Sequence, residues 1–103
     1  MILLHVIAKN EKQAEEISDF LLMKNFVLDT FIVKGTMRKS GEGSSILSEP
    51  NLLVIGKTRA LLFNKIDRAI RKEYASDPPI VYSLPIVNMD WDHASELERE
   101  LKV

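Results

Sequence analysis

The pattern of hydrophobic and polar positions at the start of the chain predicts a strand and then a helix. Ile2 to Ala8 is a run rich in strand-forming residues that ends at a polar pair, Lys9-Asn10, which is typical of a strand. Asn10, with Gln13 three residues later, has the pattern of a helix-capping box. The apolar residues that follow at helical spacing are Ala14, Ile17 and Leu21.

The next apolar runs predict two strands joined by a polar turn. Phe26 to Met37 is rich in Phe, Val and Ile and predicts the second strand. Arg38 to Ser45, RKSGEGSS, holds two glycines and three serines, so we expect it to form the tip of a hairpin. Ile46 to Lys57 predicts the returning strand, with a break at Pro50 because proline cannot donate to a central ladder.

The remaining residues predict a helix, a strand and a last helix. The helix runs from about Arg59 to Tyr74 and ends before Asp77-Pro78-Pro79, because a residue that precedes proline disfavours helical geometry. Ile80 to Ile86 predicts a fourth strand, and Pro85 places it at or near a sheet edge. Asp90 stands where the cap of the last helix is expected. Apolar positions in the two helices are Leu62, Ile66, Ala69, Ile70, Ala94, Leu97 and Leu101.

The order βαββαβ, followed by a C-terminal helix, predicts an α+β protein. Two split βαβ units joined by a long hairpin give a ferredoxin-like sandwich, with an antiparallel sheet and both crossover helices on one face. We expect residues 1–103 to form this sandwich as a single domain.

The strands are apolar on both faces, which one layer of helices cannot cover. Strand 1 carries Leu4 and Val6 on one face and Leu3 and Ile7 on the other, and strand 3 is apolar throughout Leu52 to Ile55. A sheet with one face in water should instead alternate between apolar and polar residues. We therefore expect the second face to be buried between subunits.

The amino-acid composition limits which binding partners and which kinds of site the chain can have. The 46% apolar content predicts a folded protein, and the net charge of −1 gives no long-range attraction to nucleic acid or to an anionic membrane. The chain has no cysteine, which excludes disulfides, thiolate metal sites and cysteine nucleophiles. The opening run MILLHVIA is too short to span a membrane and lacks the features of a signal peptide, so a cytoplasmic protein is expected.

Gly56-Lys57-Thr58 matches the end of a phosphate-binding P-loop, but the residues before it do not. That loop requires a glycine five positions before Gly56, where this chain has Asn51, and the four residues between them belong in a strand. We therefore interpret the three residues as the end of a strand. Thr58 is expected to cap the helix that follows.

The string LLVIGKTRALLFNKIDRAIRKEY, followed by PPIVYSLPI, resembles the CutA divalent-cation tolerance family of the PII-like superfamily. In that family an aliphatic strand ending in I-K-T precedes a helix, the motif H-P-Y-E-x-P-E and a strand ending in L-P-I. With Leu84-Pro85-Ile86 aligned, the K-T pair falls on Lys57-Thr58 and the second proline on Pro79. The resemblance covers almost the whole chain and implies a ferredoxin-like homotrimer.

The chain departs from this family at the positions tied to copper. The family's Cys-Val-Asn stretch falls on Asp29-Thr30-Phe31, and the histidine of H-P-Y-E falls on Tyr74. The acidic position of that motif survives as Asp77. Soft thiolate and imidazole ligands favour copper, so the resemblance does not carry a selective copper site over to this chain.

Two residues that the resemblance retains, Lys57 and Asp77, are the candidate ligand-binding residues. Lys57 is expected at a strand end beside a helix N-terminus, which suits an anion, although an ordinary solvated lysine fits the position too. Asp77 is expected either to face Lys57 across a cleft or to initiate the Pro-Pro turn.

Asp90, Asp92, His93 and Glu96 form the densest cluster of oxygen and nitrogen ligands, and a divalent cation is the one cofactor that they suggest. His93 and Glu96 share a helix face, and the family's C-terminal tyrosine and tryptophan fall on them. Carboxylates in a first helical turn are also expected from capping alone. His5 lies among apolar neighbours and is expected to be a packing residue.

Two functions fit the sequence. The first is a non-enzymatic, CutA-like homotrimer that binds a small molecule or a cation in clefts between subunits. The alternative is a PII-like regulatory module whose hairpin tip contacts a protein partner under nucleotide control. No Ser/His/Asp or paired-carboxylate signature indicates an enzyme.

Overall fold

The computed structural model describes residues 1–103 and contains a four-stranded sheet and three α-helices. The strands are β1 (Ile2–Ala8), β2 (Thr30–Glu42), β3 (Ser45–Thr58) and β4 (Ile80–Pro85). The helices are α1 (Glu11–Met23), α2 (Phe63–Glu73) and α3 (Trp91–Glu100). The strand order is β2-β3-β1-β4 and every pairing is antiparallel, so the predicted ferredoxin-like fold is confirmed.

The predicted helix starts at Asn10 and Asp90 are confirmed by their capping hydrogen bonds. The Asn10 side chain accepts from the Gln13 N–H at 2.8 Å, and the Asp90 carboxylate accepts from the His93 N–H at 3.0 Å. The Gln13 side chain accepts in return from the N–H of Lys9, one residue before the cap. Each cap satisfies an N–H group that the helix itself leaves without a partner.

All three helices pack on the same face of the sheet. The core is one cluster of fourteen apolar residues, to which every helix and the strands β1 and β3 contribute. Its members are Leu4, Val6, Ala8, Ala14, Ile17, Leu21, Phe26, Val27, Val54, Leu62, Ile66, Ile70, Leu97 and Leu101. Because α3 reaches this core through Leu97 and Leu101, it leaves the second face of the sheet uncovered.

The predicted bounds of the hairpin were wrong at both ends. β2 begins at Thr30 instead of Phe26, because Phe26 and Val27 turn inward and fill the core as the chain leaves α1. The turn is only Gly43-Ser44, and Arg38 to Glu42 lie in β2, paired with Ser45 to Glu49. Polar composition suggested a loop here, but two strands that pair only with each other can be polar on both faces.

The predicted break at Pro50 does not occur, since Pro50 pairs with Met37 in an unbroken β3. β1 ends at Ala8, opposite Leu52, so no strand neighbours β3 on its other side at Pro50. A proline whose nitrogen faces such an open side loses no ladder hydrogen bond. We call the self-paired segment Thr36–Asn51 the arm. It leaves the sheet just beyond a bulge at Gly35, whose φ of 79° suits glycine.

Thr58 does not cap a helix, contrary to the expectation. Its hydroxyl is fully buried and donates to the Phe26 carbonyl at 2.6 Å. A 3-10 turn at Ala60–Leu62 follows, and α2 begins only at Phe63, without a side-chain cap. Gly56-Lys57-Thr58 is thus the end of β3, as the spacing argument concluded.

The uncovered side of the sheet, which we call the open face, carries one side chain from every second strand position. The register aligns these side chains in rows that cross all four strands or three of them. Nine of the eleven are apolar or aromatic, and the other two are His5 and Lys57. The rows are Val33, Leu53, Ile7 and Ile80; then Phe31, Ile55, His5 and Tyr82; then Lys57, Leu3 and Leu84.

Gly56 lets the segment before β2 lie against β3, which generates a test. A Cβ at Gly56 would stand 2.8 Å from Val27 Cγ1 and 3.3 Å from the Asp29 carbonyl oxygen. We expect Gly56→Ala to lower the free energy of unfolding by about 1–3 kcal/mol, the usual cost of overpacking. Gly41→Ala is the matched control, because a Cβ there meets nothing within 4 Å. Urea unfolding measures both variants, and equal stabilities would contradict the close packing at Gly56.

Candidate functional site

Lys57 lies on the open face and forms an ion pair that the sequence did not predict. Its Nζ is 3.2 Å from Asp29 Oδ2 and lies 5.7 Å from the centre of the Phe31 ring. The Lys57 side chain is only 20% exposed, so it is held against the sheet and is not freely solvated. The helices pack on the opposite face of the sheet. The expected position of the Lys57 side chain beside a helix N-terminus is therefore not found.

Asp29, which the sequence resemblance aligned with the family's cysteine, is a candidate that the sequence analysis did not single out. The segment Val27–Asp29 approaches β3 closely at Gly56, and Thr30 pairs with Gly56, which places Asp29 beside Lys57. The second oxygen of Asp29, Oδ1, is buried without a hydrogen-bond partner. Such an oxygen can accept a hydrogen bond or coordinate a cation. The signal was hidden because the predicted second strand began too early, at Phe26.

Of the two interpretations of Asp77, it does not face Lys57 within one chain, and it lies in the bend that leads into Pro78-Pro79. Lys57 pairs with Leu3 at one end of β1, whereas β4 begins at Ile80, opposite Ile7, at the other end. Asp77 stands just before β4 and forms an ion pair with Lys9. The two candidate ligand-binding residues therefore lie at opposite ends of the sheet.

Asp90, Asp92, His93 and Glu96 lie at the start of α3, where Asp90 and His93 contact each other. No group of three His, Asp or Glu side chains anywhere in the chain is arranged to hold a metal ion. Asp90 is engaged with the cap, and its Oδ1 lies 3.3 Å from His93 Nδ1. The hydrogen bond from the His93 N–H, with the nearby imidazole, holds the pKa of Asp90 below its ordinary value of 3.8.

His5 is a packing residue, as expected, but it packs on the open face and not in the core. Its ring lies 5.2 Å from the ring of Tyr82, and its Nδ1 is 3.3 Å from the Tyr82 hydroxyl. Tyr74, at the family's histidine position, is partly buried. Burial, with Glu16 and Glu73 nearby, raises the pKa of the Tyr74 hydroxyl above its ordinary value of 10.0.

Comparison with solved structures gives the fold a name. The divalent cation tolerance protein CutA1 from Thermus thermophilus superposes with a TM-score of 0.88 at 18% identity, covering 99% of this chain and 100% of that one. This chain has the CutA1 fold. CutA1 from Oryza sativa gives a TM-score of 0.89 at 19% identity, covering 98% of this chain and 93% of the rice protein.

A third neighbour, described as the periplasmic divalent cation tolerance protein CutA from Archaeoglobus fulgidus, gives a TM-score of 0.87 at 17% identity, with 99% and 100% covered. No protein-family model matches the sequence, and no curated protein matches it. None of the helices has the length and apolar character that a membrane crossing requires.

The Asp90 cap predicts a pH dependence. Because the folded-state pKa of Asp90 is lowered, its carboxylate contributes stability above about pH 3.8, and this is lost as the pH falls through the folded-state pKa. We expect Asp90→Ala to lower the urea midpoint at pH 7, with the difference from the wild type shrinking below pH 3.8. Asp92→Ala is the control, since it removes a neighbouring carboxylate but not the cap. Equal midpoints for wild type and Asp90→Ala at pH 7 would contradict this role.

Proposed function

We propose that the chain is a divergent member of the CutA divalent-cation tolerance family, which acts as a non-enzymatic homotrimer in the cytoplasm. The CutA1 fold along essentially the whole chain supports this assignment, because the neighbours match from one end of it to the other. The motifs around Lys57-Thr58 and Leu84-Pro85-Ile86 point to the same family.

The open face is the observation that carries the homotrimer. Phe31, Ile80, Tyr82 and Leu84 on this face are all at least 40% exposed in the single chain. Apolar rows that cross a whole sheet exceed the isolated exposed residues that monomers tolerate. Burying them against further copies gains about 25 cal/mol for each Å² removed from water, and the family resemblance gives three as the number of copies.

The ion pair of Lys57 and Asp29 then becomes the proposed ligand site between subunits. It lies at the edge of the open face beside Phe31, so a copy packed on that face would enclose it. Asp29 Oδ1, which has no partner within its own chain, would accept a hydrogen bond from a ligand or coordinate a hard cation such as Mg²⁺. Lys57 neutralises the carboxylate when the site is empty.

Binding rather than catalysis suits this site. A general acid and base pair requires two groups whose environments separate their pKa values within one pocket. The Lys57 Nζ and the Asp29 carboxylate are instead engaged with each other as an ion pair, an arrangement that suits holding a charged ligand.

The arm favours the PII-like module as a second candidate. Met37, Ile46 and Leu47 on the arm are exposed apolar residues on a ribbon that extends away from the core. Exposed apolar groups on a projecting segment suit contact with a protein partner. The two candidates differ in ligand, because the module requires a nucleotide to control that contact.

A thermal-shift panel separates the two candidates. A ligand that binds only the folded protein raises the melting temperature by mass action. We expect hard divalent cations to raise it, Cu²⁺ to show no selective advantage, and adenine nucleotides to have no effect. Asp29→Asn should abolish the cation response, whereas Asp19→Asn on the surface of α1 should retain it. A strong shift with ATP would favour the PII-like module instead.

Oligomeric state tests the role of the open face. Leu3 lies in the row with Lys57 and Leu84, so Leu3→Glu would bury a charge in the proposed interface. By light scattering we expect about three times the chain mass of 11.7 kDa for the wild type, and a monomer or precipitate for Leu3→Glu. Leu61→Glu, at a residue outside the open face that is 76% exposed, should leave the trimer intact. A soluble wild-type monomer at micromolar concentration would overturn the proposal.

A further inference from the structure

A small cavity lies where the arm leaves the sheet, on the opposite end of β1 from the pair of Lys57 and Asp29. Its volume is about 180 Å³. It is lined by the end of β1, the base of the arm and the Pro-Pro turn that leads into β4. All of these residues belong to one chain, but Ile7 and Ile80 also stand in a row of the open face, so a copy packed there in the proposed homotrimer would border the cavity.

The side chain of Asn51 lines this cavity, and only one of its two polar atoms has a hydrogen-bond partner. Asn51 is only 8% exposed, and its Nδ2 donates to the Ala8 carbonyl at 3.3 Å. That carbonyl can only accept, which fixes the orientation of the amide and directs Oδ1 elsewhere. Asn51 Oδ1 is buried and has no hydrogen-bond partner. Burying an acceptor without a partner is unfavourable, so Oδ1 calls for a donor from outside the chain.

The backbone carbonyl of Asn51 already accepts a hydrogen bond, so the side-chain Oδ1 is the acceptor that remains available to a ligand. The Thr36 hydroxyl donates to the Asn51 carbonyl at 2.5 Å across the base of the arm. This bond, together with the one to Ala8, holds the residue at the junction of β1 and the arm. The acceptor is therefore held in place before any ligand arrives, which lowers the entropy that binding costs.

The charges around the cavity specify both ends of a ligand. The carboxylates of Glu49 and Asp77 line the cavity together with Asn51, which favours a cationic N–H donor. The cations Arg38 and Lys9 line the cavity too, which favours a carboxylate. Arg38 contacts Glu49 at 3.2 Å and Lys9 pairs with Asp77, so the empty cavity is electrically balanced. A ligand that carries one charge of each sign preserves that balance.

We propose that this cavity binds a small zwitterion, namely a free amino acid with a short apolar side chain. The ammonium group would donate to Asn51 Oδ1 and to the carboxylates, and the ligand carboxylate would accept from Arg38 and Lys9. The apolar part of the wall, formed by Ile7, Pro78, Pro79 and Ile80, suits an aliphatic side chain.

Calorimetric titration of the full chain with L-valine tests the proposal. We expect L-valine to bind, and the two compounds that each keep its carbon side chain and one of its charges, isobutylamine and isovalerate, to show no heat at the same concentration. Arg38→Met should weaken the affinity for L-valine at least about tenfold, because a charge-assisted hydrogen bond is lost. Lys39→Met is the matched control, since Lys39 is the next residue of β2 and does not line the cavity.

Asn51→Ala gives a second, independent test of the acceptor. We expect this variant to lose the binding of L-valine as well, and a melting curve checks that it still folds. If Asn51→Ala does not fold, Arg38→Met against Lys39→Met decides the matter. The proposal is overturned by absence of heat with L-valine for the wild type, by equal binding of isobutylamine alone, or by unchanged affinity in Arg38→Met. Light scattering on the same variants shows whether they still assemble, so that a loss of L-valine binding is distinguished from a loss of the proposed homotrimer.

Discussion

The one-sided packing of the helices is the constraint on which the rest of the structure depends. α1, α2 and α3 all deliver their apolar residues to one core, although the strands are apolar on both sides. In such a sheet the face that packs against the helices is buried, whereas the open face leaves apolar side chains exposed to water. The proposed assembly and the proposed cation site both follow from this exposed apolar surface, because Lys57, Asp29 and the apolar rows all lie on the open face.

The retained fold and the altered chemistry have different physical origins. The CutA1 fold persists at 15–19% identity among the neighbours because it needs only apolar residues of suitable size at the right period, and many sequences meet that requirement. The positions that would bind a soft metal need particular atoms. In the alignment that the sequence resemblance gives, Asp29 and Tyr74 occupy those positions and offer oxygen atoms. The scaffold therefore carries over to this chain more completely than the site does.

The elements of the fold could be predicted from the sequence, whereas the site largely could not. Strong periodicity identified β1 and the helices, and the caps at Asn10 and Asp90 fixed two helix starts. The predicted ends of strands were wrong where tertiary contacts determine them. Phe26, for example, packs in the core and does not begin β2. The pairing of Lys57 with Asp29 depends on register and on a close approach at Gly56, and neither has a local signature. Asp90 and His93 were correctly seen as neighbours, but a helix cap explains their proximity.

The arm contributes none of the fourteen core residues, and its two strands pair only with each other. An isolated two-stranded ribbon is marginally stable in water, so its opening need not disturb the interior. Substitutions there are consequently nearly free of any requirement for folding, apart from those at its base. Over evolutionary time such a segment can change its length and its surface while the rest of the chain stays fixed. Relatives that share this core can therefore acquire new partners by altering the arm alone.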